Sequence, residues 1–210
     1  MTLSRSGLCL VVCAPSGGGK TTLLRKLRAE FPKLQFSVSC TTRAPRPGEV
    51  HGQDYYFLSE EEFISRRDAG DFAEWAEVHG RLYGTPLSWV KEELAAGYDL
   101  LFDIDVQGAA QLKAHLAKEA TFVFIVPPSL DALEQRLRGR GTDDEATIAR
   151  RISNAAKEIA EAPWFDAIVE NNNIDAAYDL LRAIYLTAAA SPQRHKKFIA
   201  ALLKEAKSHG

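Results

Sequence analysis

Residues 8–31 constrain this chain more than any other stretch. Leu8-Cys9-Leu10-Val11-Val12-Cys13 is an uninterrupted apolar run, the pattern of a strand covered on both faces in a parallel sheet. The run stops at Ala14-Pro15-Ser16-Gly17-Gly18-Gly19-Lys20-Thr21, and the period then changes. Leu23, Leu24 and Leu27 are apolar while Arg25, Lys26 and Arg28 are charged, which predicts an amphipathic helix over 21–31 closed by Pro32. A strand, a glycine loop and a helix in direct succession leave few folds open.

Further buried-strand candidates stand at 100–104, 122–126 and 167–169, separated by helical patterns. Such alternation argues for an α/β class, a doubly wound parallel sheet with ligands at the carboxyl ends of its strands. A chain of 210 residues, 46% of them hydrophobic, can bury a full core as one domain with mobile inserts. Residues 37–98, rich in Tyr, Trp, Arg and Gly with turn signals at Pro45-Arg46-Pro47-Gly48 and Gly80, read as an insert. Leu130, Leu133 and Leu137 predict a helix ending in the glycine-arginine run of 138–141, and 136–151 is expected to be a second mobile element. The core is then 1–36, 99–135 and 152–190. A Lys-rich helical tail follows at 191–210, expected to pack on the core or to mediate self-association.

The net charge of −2 gives no global pull toward nucleic acid or an anionic membrane, so neither is expected as a partner and any anion site must be local. Cys9, Cys13 and Cys40 follow no metal-ligand or redox spacing and read as small buried hydrophobes of a reducing compartment. The first apolar run is too short for a signal or membrane segment, and a cytoplasmic protein is expected.

From Gly19 onward the loop meets the P-loop pattern Gly-x-x-x-x-Gly-Lys-Ser/Thr, with Ala14 in place of the first glycine. Glycines let successive backbone N–H groups turn toward phosphate oxygens, and Lys20 supplies a point charge at the β/γ-phosphates. The triphosphate of ATP is therefore expected on Ala14, Pro15, Ser16, Gly17, Gly18, Gly19, Lys20, Thr21 and Thr22. Thr21 can ligate Mg²⁺, and Asp103, at the end of its strand, can hold a magnesium-bound water. Asp103 serves equally well as a strand-end N-cap, and Asp105 competes for the metal role. The cradle alone fits a GTPase, an ATPase motor or a small-molecule kinase.

The insert narrows the choice. Ser37-Val38-Ser39-Cys40-Thr41-Thr42-Arg43-Ala44-Pro45-Arg46-Pro47-Gly48-Glu49 and Asp54-Tyr55-Tyr56-Phe57 resemble the signature of guanylate kinases. So do Phe72-Ala73-Glu74-Trp75-Ala76, Tyr83-Gly84-Thr85, Asp103-Ile104-Asp105-Val106-Gln107-Gly108, Arg136-Leu137-Arg138-Gly139-Arg140-Gly141 and Ile168-Val169-Glu170-Asn171. The resemblance implies a P-loop NTPase fold with a parallel sheet core, a GMP-binding insert and a lid, and the reaction ATP + GMP giving ADP + GDP.

Physically, Arg43 and Arg46 can fork onto one phosphate, with the Tyr55 and Tyr83 hydroxyls completing its shell. By resemblance these four bind the GMP phosphate, Glu74 accepts from the guanine N1–H and amine, Ser39 and Thr85 add polar base contacts, and Asp105 lies near the guanine edge. The resemblance also places Arg136, Arg140 and Arg151 of the lid over the triphosphate, alongside Lys20 as catalytic cations, and Asn171 at the adenine. No general base is needed, because the acceptor is already an anion. Two other readings fit less well: a sister kinase for another phosphorylated small molecule, against which Glu74 and Ser39 stand, and a scaffolding module, against which Lys20 and Thr21 stand. Departures from the family pattern are Ala14, Leu82 where an aromatic is frequent, and Asn172-Asn173 where acids are frequent.

Overall fold

The computed structural model describes residues 5–78, 80–139, 141 and 143–208. The chain opens with strand β1 (Cys9–Cys13), helix α1 (Lys20–Glu30) and the short strand β2 (Gln35–Phe36). Strands β3 (Cys40–Thr41) and β4 (Tyr56–Phe57), helix α2 (Glu60–Asp68) and strands β5 (Phe72–Val78) and β6 (Arg81–Pro86) follow. Next come α3 (Leu87–Ala96), β7 (Leu100–Asp103), α4 (Val106–Leu116), β8 (Ala120–Val126) and α5 (Leu130–Arg138). The chain ends with α6 (Glu145–Ala160), β9 (Ala167–Glu170), α7 (Ile174–Ala189) and α8 (Lys196–Ser208).

The larger sheet is parallel throughout in the order β2-β7-β1-β8-β9, with β1 at its centre. Its continuous apolar strands have two faces to cover. Cys9, Val11, Cys13, Phe102, Phe122 and Phe124 point to one side, where Val90 and Leu94 of α3 and Leu112 and Leu116 of α4 meet them. Leu8, Leu10, Val12, Leu101, Val123 and Ile125 point to the other, against Leu23, Leu24 and Leu27 of α1 and Leu181 of α7. The period of two in the strands and of 3.6 in the helices thus lock into a three-layer sandwich. All three cysteines are buried and free, and desolvation pushes the thiols of Cys9 and Cys13 up to about 12 and that of Cys40 up to about 11.

A second sheet, order β4-β3-β6-β5, rises from the carboxyl side of the first and has a small core of its own, Cys40, Phe63 and Phe72. The sequence reading closes the insert at residue 98, whereas this sheet ends at Pro86 and α3 packs on the larger sheet. The spacing of Leu87, Val90 and Leu94 sets one apolar stripe toward that sheet. Helix α1 begins at Lys20, one residue earlier than expected, because Gly19 in the left-handed region forms its N-cap. Asn173, one of the departures from the family pattern, caps α7 by accepting from the N–H groups of Asp175 and Ala176 at 3.0 Å, as an aspartate would. Helix α8 buries no residue and leaves Ile199, Leu202 and Leu203 exposed. No helix among the described residues is long and apolar enough to cross a membrane.

One polar knot ties the chain ends to the sheet. Asp99, 5% exposed, accepts from Arg5 Nη1 and Nη2 at 2.7 and 2.6 Å, from the Leu8 N–H at 2.9 Å and from the Tyr185 hydroxyl at 2.7 Å. Asp99→Ala would leave the last two donors buried without partners, so it should cost about 3 kcal/mol of stability. Urea unfolding followed by circular dichroism measures it, and a loss below about 1 kcal/mol would refute this account.

Candidate active site

The glycine loop is held open from two sides. Gly17 and Gly19 have φ of 93° and 90°, the left-handed region that glycine enters without steric cost. Each is also pressed against a neighbour: a Cβ on Gly17 would come within 2.9 Å of Leu133 Cδ1 of α5, and one on Gly19 within 2.1 Å of Asn171 Nδ2. Asn171 is buried just beyond β9, and its side-chain amide donates to Gly18 O at 2.8 Å. Arg136 of α5 in turn donates to Asn171 O at 2.7 Å. Asn171, expected at the adenine, therefore braces the loop with its amide nitrogen.

Lys20 leaves the loop at the start of α1, with Nζ 2.6 Å from Asp103 Oδ1 and 3.0 Å from Ile104 O. Thr21 and Thr22 are exposed on the first turn, where no side chain caps the helix and no acid stands. Its orphan N–H groups and positive end are free for an anion. The capping role weighed for Asp103 belongs instead to Asp105, which caps α4 by accepting from Gly108 N at 2.8 Å. No cluster of three or more His, Cys, Asp or Glu among the described residues forms a metal cage. A Mg²⁺ that keeps waters and phosphate oxygens needs only one or two protein oxygens, and Thr21 with Asp103 fits that donor set.

Across the cleft, Glu74 of β5 is 7% exposed. Thr85 Oγ1 donates to its Oε1 at 2.6 Å, and Ser39 Oγ lies 3.2 Å from Thr85 Oγ1. Desolvation raises the Glu74 carboxyl above its usual range, the Thr85 hydrogen bond opposes this, and the charge of Asp105 adds to it. A Cβ on Gly108 would lie 3.4 Å from Glu74 Oε2 and 3.5 Å from Asp105 Oδ1, so the first turn of α4 abuts both carboxylates. Ser39, Glu74, Thr85 and Asp105, scattered over 67 positions of sequence, stand together in the fold.

Arg43 lies beside the Tyr55 ring, 5.4 Å from its centroid, and the rings of Tyr55 and Tyr83 meet edge to face at 6.1 Å. Its guanidinium is not free. Nη2 donates to Glu49 Oε1 at 2.8 Å and Nη1 to Ala44 O at 2.7 Å. The other Glu49 oxygen accepts from the Arg46 N–H at 2.7 Å, while Glu49 N donates back to Arg46 O at 3.0 Å. The Arg43 guanidinium holds the Glu49 carboxyl below its usual range. Glu49 carries no role in the sequence reading, although its place three residues after Arg46, past Pro47-Gly48, is the spacing of a closed turn. Glu158 of α6 was also missed: burial raises its carboxyl, with Asp105 raising and Lys20 lowering it, which places a further acid near that lysine.

Of the lid arginines, Arg136 is tied to Asn171 O, and Arg151 pairs with Asp143 at 3.1 Å. Arg140 lies outside the described residues. Arg138 bridges Glu134 of α5, at 2.8 Å, to Glu145 of α6.

Comparison with known proteins gives one family. The family model described as guanylate kinase matches residues 6–188. A guanylate kinase of Nitratidesulfovibrio vulgaris is 58% identical over 204 residues, covering 97% of this chain and 98% of the relative. One of Oleidesulfovibrio alaskensis is 57% identical over 205 residues, 98% and 99% of the two chains. The crystal structure of guanylate kinase from Anaplasma phagocytophilum superposes with a TM-score of 0.66 at 31% identity, over 92% of each chain.

The raised carboxyl of Glu74 has a consequence for stability. A group whose folded pKa lies above its unfolded value contributes stability that is complete below the unfolded pKa and is lost as pH rises through the folded one. Glu74→Gln, which keeps an acceptor for Thr85 without the charge, should therefore gain stability over the parent as pH rises above 4.5, the ordinary value of this carboxyl. Thermal melts of both proteins at acid and neutral pH check this. A gain confined to acid pH would contradict it.

Proposed function

The chain belongs to the guanylate kinase family, and from that premise we propose how its residues carry the reaction. The protein is a nucleoside monophosphate kinase that transfers the γ-phosphoryl group of ATP to GMP, giving ADP and GDP. In our reading the loop 14–22 cradles the ATP phosphates, and Lys20 exchanges Asp103 for the β/γ oxygens. Thr21 and Asp103 would hold Mg²⁺, which when bound neutralises charge on those oxygens. Arg43, Arg46, Tyr55 and Tyr83 receive the acceptor phosphate, and Ser39, Glu74, Thr85 and Asp105 receive the guanine. Arg136, Arg140 and Arg151 close over the transferred group from the lid 136–151, with Asn171 setting the floor of the ATP site. The free buried thiols suit a reducing, cytoplasmic compartment.

The observation that most supports GMP as acceptor is the buried Glu74. A carboxylate held in a low-dielectric wall is costly and gains most when two adjacent donors arrive together, which guanine offers and adenine does not. Glu49 fits the same scheme as a placeholder, since its two oxygens occupy the Arg43 guanidinium and the Arg46 N–H where we place phosphate oxygens.

Coupled ADP release with GMP, AMP, CMP and UMP as acceptors tests the assignment, and equal turnover on all four would sink it. Glu74→Ala should raise the KM for GMP by roughly a hundredfold and leave that for ATP unchanged. Lys20→Ala should lower kcat by roughly two to three orders of magnitude, the scale of losing one preorganised charge at a transition state. Chelation of Mg²⁺ should abolish turnover, and its readdition should restore it.

A further inference from the structure

The far end of the larger sheet carries an unused concentration of positive charge. A cavity of about 550 Å³ opens there, bounded by Ser6 and Gly7 before β1, Ala95 at the end of α3 and Glu119 just before β8. All of these precede the strands, whereas the glycine loop follows β1. The five residues of β1 separate the cavity from the active site by roughly 17 Å.

Lys91 of α3, His115 of α4, Arg194, and Lys196 and Lys197 of α8 line this space, with Glu119 the one acidic residue among its walls. Arg194 is 7% exposed and pinned by three backbone carbonyls: Gly7 O at 2.5 Å, Ala188 O at 3.1 Å and Glu119 O at 3.1 Å. Its charge is thus fixed beneath the cavity with no carboxylate bonded to it, and burial lowers its pKa. Lys91, Lys196 and Lys197 make no side-chain hydrogen bond or ion pair with any described residue, although the molecule as a whole is acidic. Lys196 and Lys197 also occupy the first turn of α8, where the helix dipole disfavours cations and no acid offsets them. Leu94 and Leu116 close the space from the core side and are almost fully buried. A concave space in which basic side chains outnumber the single acid focuses a positive field, and its volume suits a small molecule.

We propose that this cavity is a second anion site, distinct from the active site, for a multiply phosphorylated small molecule. Phosphates would engage Lys91, Lys196 and Lys197 above the fixed charge of Arg194. A single carboxylate would satisfy one lysine. Several phosphates are needed to answer all of them.

Inorganic tripolyphosphate is the probe, titrated into the ¹⁵N-labelled full chain while amide resonances are followed. The expected result is saturable shifts at Gly7, Ala95, Lys196 and Lys197, separable from those of Gly18 and Gly19 in the cradle. In the Lys91→Gln/Lys196→Gln/Lys197→Gln variant the cavity shifts should weaken by at least about tenfold. The cradle titration and the kcat and KM values measured without tripolyphosphate should be unchanged, which also reports that the variant is folded. The Lys→Arg triple variant should retain cavity binding. Cavity resonances that stay still in the parent, or that titrate equally well in the glutamine variant, would overturn the proposal, and neither outcome bears on the GMP kinase reaction.

Discussion

The contact on which the rest of the site depends is the packing of a backbone turn against two side chains. Gly17 and Gly19 take left-handed dihedrals that strain any other residue, and a Cβ at either would press on Leu133 or Asn171. Asn171 in addition donates to Gly18 O. The loop is thereby fixed from α5 on one side and from the end of β9 on the other, before any phosphate arrives. An electrostatic cradle is effective to the degree that its dipoles need no reorganisation when charge develops. Because Arg136 of α5 is bonded to Asn171 O, that helix and the brace on the loop share one residue. Movement of α5 would be felt at the loop directly.

A second constraint joins the two sheets. Asp105 caps α4 and lies near Glu74 of β5, and Gly108 leaves room for both carboxylates. Burying Glu74 near another acid opposes folding, as the upward shift of its carboxyl records. A chain selected for stability alone would place a neutral residue there. Under the proposed assignment of Glu74 to guanine the cost has a purpose, since a pre-placed and poorly solvated acceptor discriminates most sharply between bases that can and cannot satisfy it. The location matters as well: these carboxylates come from the second sheet and from the core helix α4, so they stand together only when the two are in register.

The parallel core was legible because its determinants are local. The apolar run before the loop, the Leu23-Leu24-Leu27 stripe after it and the strands near 100, 122 and 167 stand within one or two residues of their expected bounds. The two-residue strands β2, β3 and β4 escaped, since two residues cannot express a period. The end of the insert has no mark of its own in sequence: α3 follows β6 without a break in composition, and it packs against β5 and β6 as well as the larger sheet. Site residues divide in the same way. Lys20 and the glycines announce themselves by spacing, whereas the brace from Asn171 to Gly18 spans 153 residues and the Asp99 knot spans 94 to Arg5. Neither leaves a trace in sequence, because a partner so remote is set by strand order alone. Glu74, Thr85 and Ser39 were reached through family resemblance, and no property of their neighbours alone would have singled them out.

Three of the cations assigned to phosphate already hold a carboxylate: Lys20 has Asp103, Arg43 has Glu49 and Arg151 has Asp143. A site built of unpaired cations would repel itself and draw in any anion. Under the proposed assignment each substrate phosphate would displace an internal acid, so the binding free energy would be a difference between two ion pairs. A phosphate carries more charge than a carboxylate and offers three oxygens, and it wins that exchange where its geometry fits a fork. In the same reading Asp103 would be released for the metal, while Glu49 stays tied to the Arg46 turn. Selectivity for phosphorylated ligands would then follow from competition inside the protein, with the transferred group fully neutralised only when both substrates have made their exchanges.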